Sequence, residues 1–218
     1  MWRAGSINFL FNFKISSNNL FNTISSNYKK KWNIIWLNQT KANDSQALVI
    51  TKFTARKYDL YTLSALSKLS YKLRLASLPE FEEREDGLKG LRKKYGGFNF
   101  KTDQMYDNGI KYRVILSNQA DATVGFTTDG ELTNKNLVIL KDDKKFWPSY
   151  HVAPVVRSEI LMRYPKIANI LNKISSRLTD NNLRELNSEV DIQKKEYKAI
   201  AQDFLSKERL IKVKNNEK

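Results

Sequence analysis

The chain is 218 residues long, 41% apolar, and carries 38 Lys and Arg against 23 Asp and Glu, a formal net charge of +15. That length accommodates one large domain or two small ones, the apolar share excludes wholesale disorder, and no run of about eighteen apolar residues is present to span a bilayer. The absence of cysteine removes disulfides, thiolate metal sites and a cysteine nucleophile together, and with His151 as the one histidine neither a zinc centre nor a serine–histidine triad is expected.

The positive charge alone points to an anionic partner. Its distribution argues otherwise: Lys29–Lys31, Arg92–Lys94, Lys144-Lys145, Lys194-Lys195 and Lys212 with Lys214 are scattered, without an arginine-rich block or an aromatic RNA-binding motif. They read as solvated faces, so no specific nucleic-acid partner is expected. An apolar patch at Phe9–Phe13 follows Arg3 but leads to no small-residue cleavage site, and makes a poor export signal.

Residues 1–27, rich in Asn, Ser and Phe, show little periodicity and receive no assignment. From Tyr28 a basic turn leads into Trp32–Leu37, and Ala47–Ile50 is an apolar run of strand length. Thr62 or Ser64 caps a helix carrying Leu63, Leu66, Leu69 and Tyr71, and Leu73–Leu78 reads as a strand. Gly87 and Gly90 bracket the start of a helix over Leu88–Lys94, which Tyr95-Gly96-Gly97 stops. Ile110–Leu116 alternates apolar and polar residues and reads as a strand, as does Ala122–Phe126. After the Asp129-Gly130 turn a further strand, Leu137–Leu140, ends in Asp142-Asp143, a solvated loop. Beyond Pro154 the pattern is helical, with Ile160, Leu161, Tyr164, Ile167, Ile170, Leu171, Ile174 and Leu178 at three-to-four spacing. A second helix begins after Thr179-Asp180 and a third runs from about Glu196 to Leu205. Short strands alternating with helices predict an α/β lobe with a mostly parallel sheet.

From Trp36 to about Ile211 an ordered series of segments is present: Asn43-Asp44-Ser45-Gln46-Ala47-Leu48, Thr62-Leu63-Ser64-Ala65-Leu66, Glu80–Leu88 leading to Leu91 and Tyr95-Gly96, Lys111-Tyr112, Ala120–Gly130, Leu137–Lys144, Phe146–Tyr150, Ala153–Arg157 and Leu186–Asp191. The series resembles the substrate-binding proteins of ABC importers for glycine betaine, choline and related quaternary amines. The resemblance implies a type II periplasmic-binding-protein fold, in which a two-lobed receptor closes on its ligand and the chain crosses to the second lobe and returns. Mapped here, residues 1–39 are a divergent N-terminal remnant of lobe 1, 40–151 a complete α/β lobe 2, and 152–218 a helical C-terminal return to lobe 1. The family's opening Gly-Gly-Thr and Glu-Tyr-Thr-Gly-Thr motifs have no counterpart in residues 1–39.

A trimethylammonium group donates no hydrogen bond, so its recognition needs aromatic faces, and a ligand carboxylate suits a bidentate arginine. The resemblance implies a cage split between lobes. It assigns Tyr150 to a cage tyrosine and Arg84 to the carboxylate-binding arginine. It puts Phe126 where the family usually has tyrosine, and Gln46 where a third cage tyrosine is expected, with Asp44 offering negative charge two residues earlier. On residue type alone, Phe126 suits a strand core as well as a cage, and Tyr150 after Trp147-Pro148 suits packing at a turn. Arg84 amid Glu82, Glu83, Glu85 and Asp86 reads as a solvated ion pair, Gln46 and Asp44 as turn residues, and His151 as structural.

The expected function is therefore the solute-binding component of an ABC importer for quaternary amines, not an enzyme, with no cofactor or metal. Its partners are the amine and the membrane subunit, outside the cytoplasmic membrane, and a zwitterion such as betaine is less repelled by a chain of +15 than a bare cation. The alternative is a truncated lobe that binds no solute and serves as an interaction module or relic. Apolar helix faces after residue 155 predict a homo-oligomer or a complementary chain.

Overall fold

The computed structural model describes residues 20–211, which form two compact units. One, unit 1, comprises the described residues up to Asp44 and from Ser149 onward; the other, unit 2, is Ser45–Pro148.

Unit 2 is built on a five-stranded sheet of order β4-β3-β5-β2-β6. Its strands are β2 Gln46–Thr51, β3 Arg74–Ser77, β4 Thr102–Met105, β5 Ala122–Phe126 and β6 Leu137–Ile139. The run Ala47-Leu48-Val49-Ile50 is buried on both faces because β2 is an inner strand, paired with β5 on one side and β6 on the other. Such a continuous apolar run is what a doubly covered strand requires.

The sheet is mixed, where a mostly parallel one is expected from the sequence. β3 runs parallel to β4 and β5, while β2 is antiparallel to β5 and β6. The helical crossovers between β3, β4 and β5 impose the parallel pairs. Nothing in a short apolar run encodes the direction of β2.

Helices α2 Lys52–Tyr58, α3 Leu63–Leu69, α4 Pro79–Glu83, α5 Leu88–Tyr95 and α6 Lys111–Leu116 cover the sheet. Four of the boundaries have a plain local cause. Thr51 Oγ1 accepts from Thr54 N at 3.1 Å and Thr62 Oγ1 from Ala65 N at 3.1 Å, two N-caps. Pro79 occupies the first turn of α4. Gly96, at φ 73°, takes the left-handed C-cap of α5 and donates to Arg92 O at 2.9 Å. Leu48, Leu60, Leu63, Leu66, Leu75, Leu88, Leu91 and Phe98 are buried in the resulting core, each worth roughly 1.5–3 kcal/mol of apolar transfer.

Ile110–Leu116, whose alternation reads as a strand, is α6. Lys111, Tyr112, Val114 and Ile115 are its buried residues, one helical face. Over six residues that pattern is indistinguishable from period-two alternation.

Unit 1 pairs β1 Ile34–Trp36 with β7 Val155–Arg157 antiparallel. α1, Leu20–Trp32, precedes β1; its first two turns lie in the stretch that sequence periodicity leaves unassigned, and the basic turn expected from Tyr28 is instead the helix's C-terminal end. Its Asn and Ser content weakens the local helical signal. Tertiary contacts compensate: Ile24 is buried, and Tyr28 packs edge-on against Trp32 and Trp36 at 4.7 and 5.4 Å.

After β7 come α7 Ser158–Arg163, α8 Lys166–Ser175, α9 Asp180–Asp191 and α10 Tyr197–Lys207. The continuous helical spacing from Ile160 to Leu178 is broken at Tyr164-Pro165, because proline disfavours helical backbone in the residue before it. Trp36, Val155, Leu171, Ile174 and Leu178 are among the residues lining a cavity of about 320 Å³ in this unit. The Trp36 indole N–H is buried with no acceptor among the described residues.

Thr179 opens α9 with a capping box: its Oγ1 accepts from Asn182 N at 3.4 Å, and its N donates to Asn182 Oδ1 at 2.8 Å. Thr179→Ala is expected to lower unfolding stability by about 1 kcal/mol, read as a shift of the urea midpoint at constant slope.

Candidate ligand site

Unit 2 links Arg84, Gln46 and Phe126. β5 ends at Phe126, and the antiparallel register sets Phe126 opposite Gln46, the first residue of β2. Gln46 Nε2 donates to Asp86 Oδ2 at 3.2 Å. The Arg84 guanidinium lies on the same carboxylate, Nε to Oδ1 at 2.6 Å and Nη2 to Oδ2 at 2.5 Å. That is the planar two-point geometry by which arginine reads carboxylates. The turn carrying it is fixed by the backbone: Gly87 N donates to Arg84 O at 3.0 Å and Trp147 Nε1 to Asp86 O at 2.8 Å. Gly87 itself is needed for a close approach, since a Cβ there would stand 2.0 Å from Phe81 O.

Phe126 is held from behind by one carboxylate. Asp129 Oδ2 accepts from Phe126 N at 2.9 Å, Tyr112 Oη at 2.7 Å and Lys111 Nζ at 3.1 Å. Burial, reinforced by the Asp129 charge, pushes the Tyr112 phenol up. Lys111, only 1% exposed, also donates to Asn108 Oδ1 at 2.7 Å. Its ammonium stands 5.5 Å from the Phe126 ring centroid and 5.0 Å from that of Tyr112. A Cβ on Gly125 would fall 2.0 Å from Tyr112 Oη, so the bond to Asp129 needs glycine there. Asp129-Gly130, read from sequence as a turn alone, thus carries the acceptor that organises the end of β5.

Unit 1 brings Tyr150 and Asp44 together. The segments 34–44 and 150–157 run antiparallel beyond the β1–β7 pair: Leu37 N donates to Pro154 O at 2.9 Å, Thr40 N to Val152 O at 2.8 Å, and Asp44 N to Tyr150 O at 3.0 Å. Asn43 Oδ1 accepts from Tyr150 N at 2.5 Å, and Asn43 N donates to Asp180 Oδ1 at 2.7 Å, tying this ribbon to the start of α9. Tyr150 and Asp44 are both buried. His151 Nδ1 lies 3.1 Å from Ala42 O, a ribbon contact.

Asp86, Asp129 and Lys111 are the residues that sequence reasoning missed. Asp86 stands among four neighbouring acids and nothing in the order of residues singles it out. The Lys111-Tyr112 and Gly125 positions were visible as landmarks, but their convergence on Asp129 is a product of the fold. Asp142 and Asp143 are also more than a solvated loop: Asp142 accepts from Tyr95 Oη at 2.5 Å and Trp147 N at 2.9 Å, and Asp143 Oδ1 from Ser64 N at 3.0 Å. Among the described residues no group of three His, Cys, Asp or Glu is placed to hold a metal ion.

The sequence profile of the substrate-binding domain of ABC-type glycine betaine transport systems matches residues 3–207. The chain belongs to that family. The match extends toward the N-terminus a resemblance that the sequence motifs carry only from Trp36.

Among its relatives, the ergothioneine transport permease/ergothioneine-binding protein of Helicobacter pylori (strain G27) is 36% identical over 187 residues, 86% of this chain and 34% of that protein. The carnitine transport binding protein of Listeria monocytogenes serotype 1/2a (strain 10403S) is 31% identical over 193 residues, 88% of this chain and 62% of that one. The chain thus spans about a third of the first and three fifths of the second. The crystal structure of a glycine betaine/carnitine/choline ABC transporter superposes with a TM-score of 0.85 at 29% identity, covering 95% of this chain and 77% of that one. The α/β fold is that of the type II periplasmic binding proteins, and among the described residues no helix is long and apolar enough to cross a membrane.

Unit 2 also holds a carboxyl pair. Ser77 Oγ donates to Glu82, and desolvation, then the neighbouring Glu82 charge, raises Asp103 to about 6. A carboxyl whose folded value lies above its unfolded value, about 3.9, contributes stability that is complete below the unfolded value and lost as pH rises through the folded one. Asp103→Asn is therefore expected to remove a loss of stability between about pH 4 and 6. The measurement is the difference in thermal midpoint between variant and parent across that window, which cancels the carboxylates remote from the pair and reads the joint Asp103–Glu82 titration.

Proposed function

We propose that this chain is the solute-binding component of an ABC importer for glycine betaine, choline or a related quaternary amine, working outside the cytoplasmic membrane with a membrane-embedded subunit as its partner. Ser45–Pro148 is the family's second lobe in this reading. The protein binds and releases; it does not catalyse. The observation that carries the reading is the Arg84 guanidinium fork, already lying on a carboxylate, in a chain matched by the family over residues 3–207.

Of the ligands named for the relatives, ergothioneine, carnitine and glycine betaine carry both a trimethylammonium group and a carboxylate, while choline carries the first alone. Within unit 2 Phe126 offers an aromatic face to the first; within unit 1, taken by itself, Tyr150 supplies an aromatic ring and Asp44 a negative charge. Arg84 takes the second, the ligand carboxylate replacing Asp86 on part of the fork, with Gln46 as the adjacent amide donor. This division of labour favours zwitterions over choline, which lacks the carboxylate. It also agrees with a net charge of +15, which steers no cation toward the chain.

Thermal unfolding of the whole chain in glycine betaine, carnitine, choline and proline tests the reading. A ligand at about 100 times its Kd adds roughly 2.7 kcal/mol of stability, a rise of a few degrees for a chain of this size. The expected order is betaine and carnitine above choline, with Arg84→Ala abolishing the first two rises. No movement with any amine would overturn the assignment.

The exposed Met162, Tyr164 and Ile170 side chains and the Trp36-lined cavity of about 320 Å³ support association of unit 1 with a second copy of the chain. Static light scattering is expected to give a mass above that of the 25.4 kDa chain; a monomer at every concentration would remove this part.

A further inference from the structure

Lysine is among the residues least often fully buried, and it is buried only when paired. Lys111 meets that condition in an unusual place. Its ammonium is fixed by Asp129 at 3.1 Å and Asn108 at 2.7 Å, and the same ammonium stands over the ring of Phe126. The paired carboxylate is turned to the backbone N–H of Phe126 and the hydroxyl of Tyr112. The arrangement is rigid: Asn108 and Asp129 fix the ammonium, and Lys111 opens a helix whose Tyr112, Val114 and Ile115 are buried beside it.

We propose that Lys111, held by Asp129 against the Phe126 ring, is a specificity-determining residue that disfavours purely cationic amines and leaves zwitterionic ones bound. The inference rests on the reading of Phe126 as part of the ligand site and deepens it. An aromatic ring attracts a cation through its quadrupole. A ring that already carries one internal ammonium attracts a second cation less, because the two positive charges repel across it. A zwitterion escapes most of that repulsion, since its carboxylate is drawn by the charge that repels its ammonium. The effect is local and electrostatic.

The test is isothermal titration calorimetry of the whole chain with choline and with glycine betaine, reading the ratio of the two Kd values in the parent, Lys111→Met, Lys111→Arg and Asp129→Asn. Lys111→Met removes the charge, while Asp129 keeps its bonds from Tyr112 and Phe126; choline affinity is expected to rise roughly fivefold relative to betaine. Lys111→Arg retains the charge and is expected to retain the parental ratio. Asp129→Asn leaves the ammonium uncompensated and is expected to move the ratio the other way. Should Lys111→Met fail to fold, as judged by its ligand-free melting curve, the sign of the Asp129→Asn shift decides. Equal changes for both ligands, in whichever variant folds, would make Lys111 a structural residue only and overturn the proposal while the assigned function stands. A parent chain that binds neither amine would remove both.

Discussion

The double pairing of β2 is the constraint on which unit 2 depends. Its four central residues are covered on both faces and its backbone is hydrogen-bonded along both edges, so its position is fixed from four sides. Because β2 begins directly after the passage from unit 1 at Asp44-Ser45, that fixity sets where Gln46 stands. Gln46 in turn meets Asp86, and Asp86 meets Arg84. A strand chosen by hydrophobic burial thereby orients a polar constellation at its end. A one-residue slip against β5 would turn every side chain of β2 to the wrong face and break the Gln46–Phe126 pairing.

Two carboxylates organise the surroundings of the candidate residues in different ways. Asp86 gathers side-chain donors at a half-exposed turn, where solvent can exchange with it. Asp129 gathers its donors beneath the end of β5, where the lysine it pairs with is almost wholly covered. The first arrangement is one that a competing carboxylate can enter. The second is scaffolding, costly to leave half-paired in a region of low polarizability. The placement of glycine follows from the same need: Gly125 and Gly87 are where a side chain would strike Tyr112 Oη and Phe81 O.

Much of this was legible in the sequence, and the failures have physical causes. The strands β2, β3, β5 and β6, the cap at Thr62 and the stop at Gly96 follow from short-range patterns and lie where those patterns put them, and the helix expected after Thr179-Asp180 starts at Asp180 with Thr179 as its cap. The misreading of α6 as a strand came from a window too short to separate two periods. The missed start of α1 came from a segment whose helix is sustained by distant aromatic contacts of Tyr28 and Phe21 with Trp36. Strand direction was invisible because a buried run reads the same both ways. For the site, Arg84, Gln46 and Phe126 could be named by likeness to a family, but their connection through Asp86 joins residues 40 positions apart in sequence. The burial of Lys111 was hidden for the same reason: a lysine next to a tyrosine looks like any solvated pair until the chain brings Asp129 beneath it.

β4 shows what the outer edge of this sheet is for. It pairs on one side only, with β3, and its four residues, Thr102, Asp103, Gln104 and Met105, are all exposed. An open strand edge is a template for pairing with a foreign chain unless something polar guards it. Here the guard is Asp103, a partly buried carboxyl beside Glu82 and 4.0 Å from Arg92, whose remaining hydration another strand docking beside it would have to remove. Because that carboxyl takes up its proton at about 6, the guard weakens on mild acidification. The edge then carries one charge fewer at a pH where the fold gains from the same proton, so the group that guards the strand and the group that stabilises it are one carboxyl in two protonation states.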